Sequence, residues 1–332
     1  MPTVKAKATA SPNIAFIKYW GNRDHQLRIP SNASLSMTLS GVETETRVEL
    51  LDSGTEDVFV LNGDLKTGQE WARVSNFLSL FRELTGRDEG VKVESVNDFP
   101  AGAGIASSAS AFSALALAAS AAFSLELTPP ELSMLARRGS GSAARSIFGG
   151  FVEMKTGESD TEAYASPLLP GDHWELEDWV TVVDRGHKAT GSSEGHPLAE
   201  TSPIQSARVK DTDRRLQICK QALTDRDFNT FAQIVEQDSN LMHAVMLTST
   251  PSLFYLQPAS LMIMRNVMQW RREGIDACYT VDAGPNVHVI CTSAHSGVVE
   301  RRLREIDGVL DLIHATPGEG ARLIDQVTSS SR

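Results

Sequence analysis

The chain has 332 residues, 41% hydrophobic and 22% charged, with a formal net charge of −11. That length exceeds one average domain and suits two, each able to bury a core, and the composition excludes a disordered or fibrous class. The acidic balance excludes non-specific binding to nucleic acid or to an acidic membrane surface, so any anionic ligand must be met by a local basic pocket.

Residues 4–17 alternate small and apolar positions and run as a strand into a turn carrying Lys18, Tyr19, Trp20 and Arg23. Such a turn either presents an ammonium and a phenol at a pocket mouth or buries two aromatics beside a solvated lysine. Residues 34–41, 46–52 and 57–64 alternate as strands between turn residues, which predicts hairpins or an antiparallel sheet. Trp71, Val74, Phe77, Leu78 and Phe81 share one face of a helix over 69–86, and 91–99 returns as a strand. It feeds the segment PAGAGIASSASA, residues 100–111, where two glycines and paired serines lead into an alanine-rich helix from Ala109 to about Leu127. Glycine frees the backbone, and a helix starting near Ser107 points unpaired amides and a positive dipole end forward, so the segment reads as an anion cradle. The spacing is not GxxxxGK[ST], and a small-residue turn that allows close helix packing is the competing reading.

Thr128-Pro129-Pro130-Glu131 opens a further helix, with its prolines in the tolerated first turn. That helix carries Arg137 and Arg138 toward Ser140, Ser142, Arg145 and Ser146, where a guanidinium fork beside hydroxyls suits a carboxylate or phosphate. A strand over 181–189 runs into GSSEGH, and helical periods follow over 202–223, 227–246 and 260–274. Residues 278–292 read as two strands joined by the turn Asp282-Ala283-Gly284-Pro285-Asn286, before a helix over 296–306 and a strand over 309–315. Asp282, between an apolar strand and a glycine turn, is either a candidate base with a tuned pKa or the carboxylate of an Asx turn. Cys219, Cys278 and Cys291 are scattered without metal-ligand spacing, which predicts core thiols and no metal site in the protein itself. No leader-like apolar run opens the chain, and Ser110, Ser113, Ser120 and Ser124 break its longest apolar stretch, so a cytoplasmic protein without membrane contact is expected.

SPNIAFIKYWG, PAGAGIASSASA, LARRGSGSAARSIFGGF, KATGSSEGH and YTVDAGPNVHV occur in the order seen in the diphosphomevalonate decarboxylases of the GHMP kinase superfamily, which the chain resembles from Ser11 to about Asn286. The resemblance implies a two-lobed α+β fold, with a ribosomal-protein-S5-like N-terminal lobe over 1–188, a ferredoxin-like lobe over 189–327 and a disordered tail over 328–332. It also implies ATP with Mg2+ and a phosphorylated mevalonate as ligands, and a homodimer. Gly102, Ala103, Gly104, Ala106, Ser107 and Ser108 are then expected to hold the ATP phosphates, with Lys18 supporting their charge. Arg145, Ser140 and Ser142 are expected on the substrate carboxylate and neighbouring phosphate, Asp282 on the tertiary 3-hydroxyl, and Tyr19 and Ser192 at the phosphate end.

The chain departs from the resemblance at that end. Typical members read KYWGKRD where this chain has Asn22, and often carry Arg or Thr where it has Ser193. Losing a charge-assisted contact there weakens a second phosphoryl group by roughly 1.5–3 kcal/mol. The expected reaction is therefore decarboxylation of mevalonate 5-phosphate to isopentenyl phosphate. The alternatives are decarboxylation of the diphosphate, with Arg23, Arg28 or Lys188 standing in for the lysine, a 3-kinase that stops before decarboxylation, and a non-catalytic nucleotide sensor.

Overall fold

The computed structural model describes residues 4–99, 107–186 and 190–328. The chain starts with β1 (Val4–Ala10), β2 (Asn13–Ile17), a small ribbon of β3 (Asn22–Asp24) and β4 (Ile29–Pro30), then β5 (Ser34–Thr38), β6 (Thr44–Ser53), β7 (Val58–Leu61) and β8 (Asp64–Lys66). It continues through α1 (Gly68–Thr85), β9 (Glu89–Asn97), α2 (Ser107–Ala122), α3 (Pro129–Gly139), α4 (Ala143–Ser146), β10 (Phe151–Met154), β11 (Ala165–Leu169) and β12 (Leu176–Val182). The remainder holds α5 (Ser192–Gly195), α6 (Gln205–Lys210), α7 (Thr212–Asp225), α8 (Phe228–Thr248), α9 (Pro258–Arg272), β13 (Ala277–Val281), β14 (Val287–Thr292), α10 (Ser293–Arg304), β15 (Asp311–Ala315) and β16 (Arg322–Thr328).

Three sheets follow from these strands. The first has the order β16-β1-β6-β9-β7-β8, with β7 and β9 its parallel pair. Its inner face, with Ala6, Ala8, Val48, Val91 and Val93, is covered by α1 and α2. Buried alanines along α2 let that helix lie close to the strands, which explains an alanine-rich sequence in a core helix. The second sheet, β11-β10-β5-β2, carries the chain toward the cleft. The third, β13-β14-β12-β15, is buried on both faces: Trp179, Tyr279, Val281, Val287 and Val289 pack on one side, and Val180, Val182, Cys278 and Ile290 on the other. That second side shares one core with β2 and β5 through α7 and α8, so the two halves of the chain are packed together rather than loosely tethered.

The predicted helix start at Thr128 is a capping box, with the Glu131 carboxylate accepting from the Thr128 N–H at 2.8 Å and from its hydroxyl at 2.6 Å. The three cysteines are free and buried, and burial raises each thiol pKa. Among the described residues no helix is long and apolar enough to cross a membrane.

Several expected boundaries move. Strands cross the position 188/189: β12 pairs with β14 and β15 in the third sheet, and β16 returns from the far end of the chain to pair with β1. Thr328 accordingly lies in a strand rather than a tail, and 329–332 lie outside the described residues. The alanine-rich helix stops at Ala122 rather than near Leu127, since Ser124 takes a left-handed φ of 58°. The strand expected over 181–189 spans Leu176–Val182 instead.

Candidate active site

The segment from Lys18 to Gly21 leaves β2 at the junction of the halves, and side chains from the second half hold its backbone. The Lys18 N–H donates to Asp238 Oδ2 at 2.6 Å, and its carbonyl accepts from Arg208 Nη2 at 2.8 Å and from Asn32 Nδ2 at 2.9 Å. Asp238 is fully buried and is itself held by Arg215 Nε at 2.7 Å. The Trp20 carbonyl accepts from Gln205 Nε2 at 3.0 Å, and the Gly21 N–H donates to His196 Nδ1 at 3.0 Å. Gly21 has φ +91°, and a Cβ there would sit 2.6 Å from Gln205 Nε2, so the turn requires glycine.

This clamp places the Lys18 ammonium 2.5 Å from Asp282 Oδ1, with Lys18 1% and Asp282 26% exposed. Burial lowers the Lys18 pKa, while Asp282 opposes that shift. Asp282 follows β13, whose last residue is fixed by Ser239 Oγ accepting from Val281 N–H at 2.9 Å. Below it, burial lowers the His243 pKa to about 4, and the neutral ring bonds the Val281 carbonyl at 3.3 Å.

Arg145 on α4 enters the same cleft and is 3% exposed. Its guanidinium donates to Ser34 Oγ at 2.7 Å, Ser36 Oγ at 2.9 Å and Asn13 Oδ1 at 3.0 and 3.2 Å, all of them neutral acceptors. No described carboxylate touches it, and burial lowers its pKa to about 10, which leaves it charged at neutral pH. The Asp282 carboxylate supports that charge through space without contacting it, so the guanidinium has no direct anionic partner among the described residues, and an anion entering the cleft would supply one.

The same cleft is lined by Tyr19, Arg28, Ser192, Ser193 and His196 and by Ser108, Ser140 and Ser142. Gly141 permits the Tyr19 ring to approach, since a Cβ there would collide with it. Burial raises the Tyr19 pKa to about 12, so the phenol stays neutral, and its hydroxyl donates to Asn22 Oδ1. Beyond Ser108, whose hydroxyl lies 3.2 Å from that of Ser140, a second pocket opens between Phe59, Leu61, Val74, Phe112 and Leu115, rimmed by Ser95, Asn97 and Ser107.

Residues 10–165 match the family model described as diphosphomevalonate decarboxylase-like N-terminal domain, and 179–315 match mevalonate 5-diphosphate decarboxylase C-terminal domain. The chain belongs to the diphosphomevalonate decarboxylase family. It is 36% identical over 320 residues to the diphosphomevalonate decarboxylase of Ganoderma lucidum, covering 89% of this chain and 80% of that one. It is 33% identical over 304 residues to the phosphomevalonate decarboxylase of Haloferax volcanii, covering 91% and 93%. The solved complex of MDDEF with MVAPP, AMPPCP and magnesium superposes with a TM-score of 0.91 at 37% identity, covering 97% of this chain and 99% of that one. The chain thus has the two-domain α+β architecture of that decarboxylase family.

Of the site residues expected from sequence, Lys18, Tyr19, Ser108, Ser140, Ser142, Arg145, Ser192, Ser193 and Asp282 line one cleft. Ser107 faces the second pocket. Asn22 is not a wall of the cleft: it is 3% exposed behind Tyr19, because its side-chain carbonyl takes the phenol hydroxyl. Gly102, Ala103, Gly104, Ala106 and Lys188 lie outside the described residues. Arg23 is exposed and turned to the Gly157 carbonyl, whereas Arg28 lines the cleft. Sequence reasoning missed Asn13, Asp238 and His196. Asn13 stood in SPNIAFIKYWG and His196 in GSSEGH, both already singled out, but nothing local distinguished the amide from a turn residue or the ring from a solvated histidine.

Proposed function

We propose that this decarboxylase converts mevalonate 5-phosphate and ATP to isopentenyl phosphate, CO2, ADP and phosphate. The observation that carries the reading is the pairing, in one cleft, of the Lys18–Asp282 ion pair with an Arg145 guanidinium that no described carboxylate touches. Asp282 orients the tertiary 3-hydroxyl and takes its proton as the γ-phosphoryl group of ATP is transferred to that oxygen. Lys18 offsets the negative charge gathering there. The C3–O bond then breaks and phosphate leaves with the electron pair. The C1–C2 bond electrons form the C2=C3 double bond as CO2 departs, while Arg145 holds the carboxylate in line. A kinase that stopped at the phosphate ester, or a nucleotide sensor, gives no account of Arg145.

The second pocket supports the nucleotide assignment, since its apolar walls suit a purine ring and α2 presents the hydroxyls of Ser107 and Ser108 at its N-terminal end. In the related complex the partners of MVAPP are AMPPCP, an ATP analogue, and magnesium. Mg2+ would come with the nucleotide phosphates, meet the Ser107 and Ser108 hydroxyls, and offset phosphate charge. The domains divide functionally at the cleft rather than at one point of the chain, and the enzyme is taken as a cytoplasmic homodimer, for which the exposed Leu261, Met262 and Met268 of α9 offer an apolar face.

Lys18, Arg28 and Arg145 are the cations among the described residues of the cleft; with Lys18 and Arg145 assigned to the reacting centre, Arg28 remains for the phosphate end beside the neutral Tyr19, Ser192, Ser193 and His196, a set that suits one phosphate better than two. Arg28 is also what favours the second reading, the diphosphate, because it brings a guanidinium where the family lysine is missing. Purified enzyme assayed with ATP and mevalonate, its 5-phosphate or its 5-diphosphate separates the two. The expected result is a higher kcat/KM for the 5-phosphate, and a preference of tenfold or more for the 5-diphosphate would replace the first reading with the second.

A further inference from the structure

His196 is the one ring on the phosphate-end wall whose protonation is dictated by the backbone. It follows α5, is 7% exposed, and packs against Tyr19 and Trp20 with ring centroids 4.3 and 4.6 Å away. The Gly21 N–H donates to its Nδ1 at 3.0 Å, so Nδ1 carries a lone pair and the ring proton sits on Nε2. Nε2 makes no hydrogen bond to a described residue, although the ring lines the cleft beside Ser192, Ser193 and Arg28. That N–H is open to the cleft rather than sealed in the core, so it is available to an acceptor that enters there.

We infer that His196 is a neutral hydrogen-bond donor, through Nε2–H, to the phosphate group of the bound substrate. The inference rests on the reading above in placing a phosphate at this wall, and it adds a residue to the set that holds it. The low pKa of the ring, about 3 through burial and the positive charges of Arg28 and Arg208, keeps it neutral while the substrate binds. Its donor is therefore fixed in direction and adds no charge, which distinguishes it from Arg28. A purely structural role, as the acceptor that fixes the Gly21 turn, is the competing explanation.

Two substitutions separate these roles. Asn at 196 places an oxygen near the position of Nδ1, so His196→Asn keeps an acceptor for Gly21 and removes the donor. Gln places its amide near Nε2, so His196→Gln restores a donor and gives up the Gly21 acceptor. With mevalonate 5-phosphate as the varied substrate, His196→Asn is expected to raise KM about ten- to hundredfold, the range for a hydrogen bond to a charged acceptor, with kcat within about threefold. His196→Gln should return KM to within about threefold of wild type. A normal KM in His196→Asn, or a His196→Gln protein worse than His196→Asn, would overturn the inference in favour of the structural role. Should either variant fail to fold, 15N spectra of histidine-labelled wild type decide the question: saturating mevalonate 5-phosphate should shift the protonated Nε2 of His196, and an unmoved signal refutes the contact. Repeating the KM comparison with the 5-diphosphate keeps the two proposals apart. A wild-type preference for the diphosphate removes the monophosphate reading, while the order of the Asn and Gln variants still judges the donor.

Discussion

Replacing Asp282 by Asn keeps the shape of the side chain and removes its charge and its basicity. The carboxylate meets the Lys18 ammonium at 2.5 Å, with Lys18 almost fully buried and Asp282 26% exposed. A hydrogen bond between charged groups contributes about 1.5–3 kcal/mol, and here the upper part of that range is discounted for the exposure of Asp282. Lys18 can also shed its proton once unpaired, since burial already lowers its pKa. The expected stability loss is therefore about 1–2 kcal/mol. For a chain of 332 residues the unfolding entropy makes this a Tm decrease of roughly 1.5–3 °C. The same substitution removes the proposed acceptor of the hydroxyl proton, a role typically worth 10²- to 10⁴-fold in rate, or roughly 3–5 kcal/mol of barrier. Marginal destabilisation leaves nearly all of the enzyme folded at 25 °C, so it cannot produce a rate loss of that size. ADP formation and CO2 release measured in parallel, with Tm by calorimetry, give both numbers. Turnover within tenfold of wild type in folded Asp282→Asn would remove Asp282 from the mechanism.

Arg145→Gln should leave the stability of the free protein within about 1 kcal/mol of wild type or raise it, because a buried cation without a contacting carboxylate is removed and the amide can still donate to Asn13 or Ser34. Decarboxylation should fall at least a hundredfold in the same protein, and a variant that is strongly destabilised yet active would show that the guanidinium serves the fold. The acid limb of stability is expected to come largely from His196 and His243, whose folded pKa values of about 3 and about 4 lie below the ordinary 6.5. The unfolded chain binds these protons and the folded chain does not, so stability is full above pH 6.5 and is lost as pH falls below it, by about 2 kcal/mol per ring at pH 5. Urea unfolding at pH 7.5 and pH 5 tests this, and equal pH dependence in wild type and His243→Asn would count against it.

The elements were legible where local chemistry decides them. The alternation of 46–52, the helical face from Trp71 to Phe81 and the capping box at Thr128 each express a rule that a few neighbouring residues obey. Lys18 and Asp282 each stood out locally as one of two readings, an ammonium at a pocket mouth and a candidate base, but their pairing was not legible, because the ion pair spans 264 residues of sequence and neither carries a local sign of the other. The contact of Asn22 was hidden for a related reason: its position in the motif said nothing of the Tyr19 hydroxyl that its side-chain carbonyl accepts. The strand β16 has exposed side chains over 322–326 and its partner is the first strand of the chain, so neither pattern nor sequential neighbour announced the pairing.

An acidic chain that binds a polyanion poses an electrostatic question that the architecture of the cleft answers. The net charge of −11 resides mostly on exposed side chains, whose field beyond about 8 Å is screened at physiological ionic strength. The cations of the cleft are of another kind. Lys18 and Arg145 are 1% and 3% exposed, so their charges act through protein rather than through salt water. Keeping them charged in that environment requires acceptors that do not neutralise them outright, and the fold supplies these from distant strands: Ser34, Ser36 and Asn13 for Arg145. Lys18 differs in that its ammonium is paired with Asp282, while its backbone is held from the other half of the chain by Asp238 at its N–H and Arg208 at its carbonyl, above the fully buried Arg215–Asp238 pair. Because β2, β5, α7 and α8 share a single core, these groups cannot separate without opening it. The position of the cations is thus set by packing between the two halves, and a local positive field is sustained inside a protein whose surface is negative.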